Sequence, residues 1–289
     1  SGVINDLSRA IDLFNNRNNL LVAMLGNGFF LWDLQTTGRL QRWLLKHADE
    51  VIEWLDVLYE MDALISLSIY AKNHPAFVYP IIDEQVNVKG TALGHPLIEK
   101  DVCVTNDVEI NEGNFLIITG ANMAGKSTFL RTISLSILMT NLGLPVFAND
   151  FRLRPQKLIT SMRSSDSLLE DESYFFAELK RLKYIIEKVT DANYFIVLDE
   201  ILKGTNSKDK EEGSKKFVRR LVEMKTTGII ATHDLGLCTI EQDLPQVNNY
   251  YFDAEIENDE LHFDYKMKNG VCKNMNASFL LRKMNIVNE

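Results

Sequence analysis

Apolar residues near the start of the chain recur at helical rather than strand spacing. Ile4, Leu7, Ile11 and Phe14 line up on one face of a helix, and a polar cluster at 15–19 then breaks the pattern. From Glu50 onward, Val51, Trp54, Leu55, Leu58, Met61, Ile65 and Ile69 mark one stripe of a long amphipathic helix. Pro75 and Pro80 end it, because proline removes a donor and pushes its predecessor into extended backbone. The pattern predicts an all-helical lever or connector region over residues 1–90, with the stripe packed in a helix bundle.

After Pro96 the period changes. Short β-rich apolar runs at 102–110, 115–119, 194–198 and 228–232 alternate with helical stretches. That alternation predicts an α/β domain over residues 91–289, with a mostly parallel central sheet flanked by helices. Runs at 250–257 and 260–267 flank Asn258 and Asp259 and read as a hairpin. The uncharged run 132–149 is close to membrane-span length, but it holds Ser134, Ser136, Asn141, Gly143 and Pro145. It reads as a buried helix that stops at Gly143, so no membrane contact is expected.

Composition narrows the function classes. The 289 residues are 46% hydrophobic and 25% charged, the balance of a globular protein with a real core. Lys and Arg total 31 against 40 for Asp and Glu, a net charge of −9. A protein that grips nucleic acid by neutralising phosphates is usually basic, so this chain alone is a poor candidate for that work. Three widely spaced cysteines, Cys103, Cys238 and Cys272, carry no metal spacing and suggest reduced thiols in a cytoplasmic protein. The chain opens on Ser1 and Gly2 with no leader pattern, which reads as a fragment of something longer.

The strongest chemical signal is the run Gly120, Ala121, Asn122, Met123, Ala124, Gly125, Lys126, Ser127, followed by Thr128. It fits GxxxxGK[ST], follows an apolar strand and precedes a helix, the context a P-loop requires. The glycines let backbone N–H groups wrap a phosphate, and the helix N-terminus adds its positive end. Lys126 is expected at the β- and γ-phosphates of ATP, and the Ser127 hydroxyl on Mg²⁺. A second apolar run delivers Asp199 and Glu200 at its carboxyl end, where ligands bind in such sheets. Asp199 is the expected metal carboxylate, and Glu200 the group that orients or deprotonates water. A third run ends in His233, placed to sense a γ-phosphate.

In this wording and order the three elements resemble the ATPase domain of the MutS family of DNA mismatch-repair proteins. The resemblance covers about residues 94–270 and includes the Asn122-Met123 pair, His95-Pro96-Leu97-Ile98, Thr105-Asn106-Asp107, the segment from Asp166 to Glu178, and Asp199 through Ser207. Upstream, Leu55-Asp56-Val57-Leu58 and Pro80 are similar to the family's long returning helices. The resemblance implies an ATP-hydrolysing dimeric switch, two ATPase faces completing each other's sites. It implies that Ser173 reaches the neighbouring subunit's γ-phosphate, that Asn122 contacts phosphates, and that the 203–207 loop lies at the interface. Tyr265, in the second strand of the late hairpin, matches a side chain that stacks on adenine. DNA is the partner implied for the full-length protein, with weak or absent binding by this fragment.

The chain departs from the family pattern in three places. Leu202-Lys203 stands where Gly-Arg is usual, Asp171 replaces a glycine, and 273–278 lacks the usual wording. A nucleotide-gated interaction module therefore stays open as an alternative. A transporter or chromosome-maintenance ATPase is disfavoured by the lack of a Ser-Gly-Gly signature, and a small-molecule kinase by the lack of a lid-like arginine cluster.

Overall fold

The computed structural model describes residues 2–162, 174–257 and 260–272. The chain divides into two compact units, Ser1–Lys72 and Asn73–Glu289.

The first unit is helical: α1 (Gly2–Asn15), a short α2 (Asn27–Phe30) and the long α3 (Trp32–Asn73). Between α1 and α2 the chain makes a 3-10 turn and a π-helical segment, Val22–Gly26. Leu31, with φ of 49°, turns the chain into α3. Asn27 then secures the first turn, accepting from the Asp33 amide at 2.8 Å and donating to the Asp33 carboxylate at 2.9 Å. Two indoles tie α1 to α3: Trp43 Nε1 donates to the Val3 carbonyl and Trp32 Nε1 to that of Leu13.

The predicted helical stripe lies within α3, but it does not form the core of a bundle. Leu58, Met61, Ile65 and Ile69 are all more than half exposed, and only Thr36, Trp43 and His47 of α3 are buried. The periodicity specified the helix. The start of the stripe is half-buried at Val51 and Trp54, with Trp54 edge-on to Trp43, and within its own unit the face from Leu58 onward is exposed.

The second unit is α/β. In chain order it contains β1 (Ile81–Ile82), β2 (Val88–Leu93), β3 (Asn106–Ile110), β4 (Phe115–Gly120), α4 (Lys126–Asn141), β5 (Asp150–Leu153) and β6 (Lys157–Met162). Then follow α5 (Tyr174–Asp191), β7 (Tyr194–Asp199), α6 (Ser207–Glu223), β8 (Thr227–Ala231), β9 (Val247–Phe252), β10 (Glu255–Glu257), β11 (Glu260–His262) and β12 (Met267–Asn269). The larger sheet has the order β12-β9-β4-β8-β7-β6. All its pairings are parallel except that of β12 with β9. Its inner strands carry near-continuous apolar runs because both faces are covered. Phe115, Ile117, Ile196, Leu198 and Ile230 are buried in one core cluster, with Leu182 and Ile185 of α5 and Val218 and Leu221 of α6.

Three expectations need correction. Only 106–110 of the run 102–110 is strand, and β3 pairs antiparallel with β2 in a separate four-stranded sheet of order β1-β5-β2-β3. Residues 102–104 are loop, since their apolar side chains face a cavity rather than a ladder. The late hairpin is shorter than read: β10 and β11 pair over three residues each, and β12 leaves to join β9. Tyr265 therefore lies in the loop between β11 and β12. The boundary expected at 90/91 falls inside β2, whereas the compact units divide after Lys72.

The buried-helix reading of 132–149 holds for α4. The hydroxyls of Ser134, Ser136 and Thr140 donate to carbonyls four residues back, and Gly143, with φ of 71°, follows the helix end.

Candidate functional site

The Gly120–Gly125 turn is shaped by contacts that exclude side chains. Gly120 has φ of 142°, and a Cβ there would run into the Phe252 carbonyl of β9. Gly125, with φ of 104°, caps α4, and Met123 takes a left-handed φ of 67° with its side chain in solvent. Ala121 and Ala124 are buried beneath the turn. The first turn of α4 carries no acidic residue, so its free N–H groups and the positive end of the helix dipole face the cavity uncompensated.

Lys126 is only 6% exposed. Its ammonium donates to the carbonyls of Gly120 at 2.9 Å and Ala121 at 2.7 Å, both on its own loop. Burial pulls its pKa below the ordinary lysine value, against the opposing pull of Asp199, Glu200 and Cys272. The half-buried Ser127 hydroxyl and Asp199 carboxylate have no side-chain hydrogen bond or ion pair among the described residues.

The carboxyl ends of β7 and β8 meet beside this loop. Asp199 pairs in register with Ala231, and the Glu200 amide donates to the Ala231 carbonyl at 2.8 Å. Glu200 has φ of 55° and Leu202 57°, two left-handed non-glycine residues in one tight turn. The carboxylate of Glu178, on α5, accepts from the amides of Leu202 at 2.7 Å and Lys203 at 3.1 Å. Burial pushes the Glu178 carboxyl above its usual range, although those two amides and the nearby Lys203 and Lys210 work the other way.

Both oxygens of Glu200 are engaged, Oε1 by Lys210 Nζ at 2.9 Å and Oε2 by Lys203 Nζ at 3.3 Å. Burial alone would raise the Glu200 carboxyl, but the two lysines reverse this and hold it below its ordinary value. His233 follows β8. Burial lowers its pKa, and the charges of Lys126 and Lys210 add to this against Glu200 and Asp199, which favours the neutral imidazole.

One cavity of about 490 Å³ gathers most of the residues predicted from sequence: Asn122, Met123, Gly125, Lys126, Ser127 and Thr128 on one side, Asp199, Glu200 and His233 on the other. Arg131, Lys203 and Tyr265 complete its wall. Gly120, Ala121 and Ala124 build the loop without lining the cavity. Ser173 lies outside the described residues.

Tyr265 also lines a second, apolar cavity of about 160 Å³ with Leu93, His95, Ile98, Val102, Phe129 and Phe252. Asn106 holds the Tyr265 loop, donating to the Tyr265 carbonyl at 3.0 Å and accepting from the Met267 amide at 2.8 Å. Sequence reasoning missed this second cavity, because its lining brings loop residues of 95–104 together with Leu93 of β2, Phe129 of α4 and Phe252 of β9, which are distant in sequence. It also missed Glu178 and Lys210. The signal available for Lys210 was a cation ten positions after an Asp-Glu pair, which looks like any solvated helix charge.

Residues 116–284 match the family model for MutS domain V. The chain belongs to the MutS family. It is 30% identical to the human MutS protein homolog 4 over 250 residues, 80% of this chain and 26% of that protein. It is 30% identical to the DNA mismatch repair protein MutS of Thermotoga maritima over 243 residues, 78% of this chain and 29% of that protein. The DNA mismatch repair protein MSH6 of Arabidopsis thaliana is 27% identical over 248 residues, 78% of this chain and 19% of that protein. The chain thus spans less than a third of the length of these MutS-family relatives. The domain V match begins in β4 and takes in the loop, the ends of β7 and β8, and Tyr265. No helix among the described residues is long and apolar enough to cross a membrane.

Proposed function

We propose that the α/β unit is a P-loop ATPase domain that binds ATP with Mg²⁺ and hydrolyses it. The observation that carries this reading is the convergence of Lys126 and Ser127, at the head of α4, with Asp199 and Glu200, at the end of β7, on one polar cavity. The donor set fits a magnesium nucleotide. Ser127 and Asp199 are oxygen ligands with no competing partner among the described residues, a set suited to an ion that keeps several waters. Bound there, the ion would neutralise charge on the β- and γ-phosphates.

The chain's own residues do the rest. Lys126 exchanges its loop carbonyls for phosphate oxygens, and the α4 N-terminus adds N–H donors. Glu200 takes a proton from a water whose oxygen bonds to the γ-phosphorus. The bond to the bridging oxygen breaks, and ADP and phosphate leave. Neutral His233 donates a hydrogen bond toward the γ-phosphate. The apolar cavity between His95 and Tyr265 receives the adenine.

In a longer MutS protein this unit works as a nucleotide-driven homodimeric switch coupled to DNA, with Ser173 completing the partner's site. The chain's net charge of −9 leaves the grip on DNA to other parts of that protein. The engaged Glu200 favours one second reading, an interaction module that binds ATP without turning it over.

Calorimetry on Lys126→Ala tests binding, and the expected result is loss of nucleotide affinity. Unchanged affinity refutes the site. Glu200→Gln should bind ATP while phosphate release falls about 10²-fold or more. A wild-type chain that binds but releases no phosphate selects the interaction module. The shared site predicts a rise in mass for Glu200→Gln with Mg-ATP, measured by light scattering and lost in Ser173→Ala.

A further inference from the structure

We propose that Lys203 is an exchange residue that leaves Glu200 for the terminal phosphate of a bound nucleoside triphosphate, while Lys210 stays to hold the carboxylate in place. This rests on the nucleotide reading above and adds to it one phosphate contact, Lys203, and one positioning residue, Lys210.

The two lysines share one anion but stand in different surroundings. Lys203 lines the phosphate cavity, and Lys210 does not. Lys203 makes the longer pair, 3.3 Å against 2.9 Å, and its side chain is more exposed, 29% against 20%. Lys210 lies on α6, whose start is capped by Asn206 accepting from the Asp209 amide at 2.9 Å. Its anchor is therefore a regular helix. Lys203 instead sits in the tight turn after β7.

That turn is held from α5. Glu178 accepts both the Leu202 and the Lys203 amides, and a Cβ on Gly204 would stand 2.7 Å from Phe175 Cβ. The backbone of Lys203 is thus fixed while its long side chain remains free to swing. A flexible ammonium on a fixed stem suits transfer between two anions.

With an ammonium on each oxygen, the Glu200 carboxylate is a weaker base toward water than one that is unpaired. A triphosphate entering the cavity brings a more concentrated negative charge than one carboxylate, and Lys203 is the nearer cation to be drawn off. Oε2 is released in the same movement. A diphosphate lacks the terminal group and leaves Lys203 where it was. The arrangement keeps the base weakened until the substrate itself draws one ammonium away, and the differential contact distinguishes triphosphate from diphosphate.

The test compares two ligands by calorimetry with Mg²⁺: the non-hydrolysable β,γ-imido analogue of ATP, and ADP. Lys203→Met should weaken the analogue about tenfold and leave ADP within twofold, the loss of one charge-assisted hydrogen bond. Lys203→Arg should restore most of the preference. Glu200→Gln removes the competing anion, so it should tighten the analogue about threefold, and the gain should vanish in the Glu200→Gln, Lys203→Met double variant. Lys210→Met should lower kcat without changing the ratio of the two affinities. A Lys203→Met protein that weakens both ligands equally, or neither, overturns the exchange while leaving the nucleotide site standing. A wild-type chain that binds neither ligand refutes the nucleotide reading and this inference with it.

Discussion

Helices α3 and α4 carry comparable apolar material and meet opposite fates. α4 buries ten of its sixteen residues, Lys126 among them, whereas α3 buries three of forty-two. α4 lies against a mostly parallel sheet whose inner strands are near-continuously apolar, and most of its length finds a covering surface. α3 presents Leu58, Met61 and Ile65 to solvent, each more than half exposed. Helical period states that a face is apolar, and only a partner surface turns that face into a core. The same contrast explains where chemistry sits: a buried, inflexible helix start can aim N–H groups and a lysine, whereas a bare helix has nothing to aim them at.

The widest separation between the two units should appear in core truncations. Phe115→Ala, in the fully buried β4, is expected to cost about 3–5 kcal/mol, whereas Leu58→Ala on the bare face should stay within about 0.5 kcal/mol. Urea unfolding of each variant measures both. Similar costs would mean that the α3 face is covered in solution.

Glycine substitutions should differ in sign. Gly120→Ala places a methyl against the Phe252 carbonyl at φ of 142°, and should destabilise by about 1–3 kcal/mol or more. Gly38, inside α3, has nothing within 4 Å of a built Cβ, so Gly38→Ala should stabilise by about 0.5–1 kcal/mol. Thermal unfolding reads the two shifts, and a loss at Gly38 would again place a neighbour over α3.

The smallest effect is chemical and leaves the fold intact. None of the three cysteines is in a disulfide. Burial, with Asp234 and Glu241 nearby, pushes the Cys238 thiol up to about 12. The thiolate is the reactive form, so Cys238 should resist iodoacetamide at pH 8. Half-buried Cys103 lines the apolar cavity and should label faster, and ATP should slow it if adenine lies there. Mass spectrometry of the labelled peptides gives both rates.

The sequence alone determined the elements whose signal is local. The 115–119 run, the turn to Gly125 and the helix after it depend on apolar content, on glycine's access to positive φ and on a helix start, all readable within a dozen residues. The same holds for Asp199 and Glu200 at a strand end, and for the helical period of α3. What only the tertiary structure decided were meetings between distant segments. The run 102–110 became a loop and an antiparallel strand because β2 offered its ladder, and Tyr265 reached the Gly125 turn through the loop pinned by Asn106. Glu178 found the Leu202 and Lys203 amides, and Lys210 found Glu200, because α5 and α6 pack beside the end of β7. Periodicity records what a residue needs from its immediate neighbours. A carboxylate's partner on another helix is set by how the layers stack, and that information is spread over the whole core.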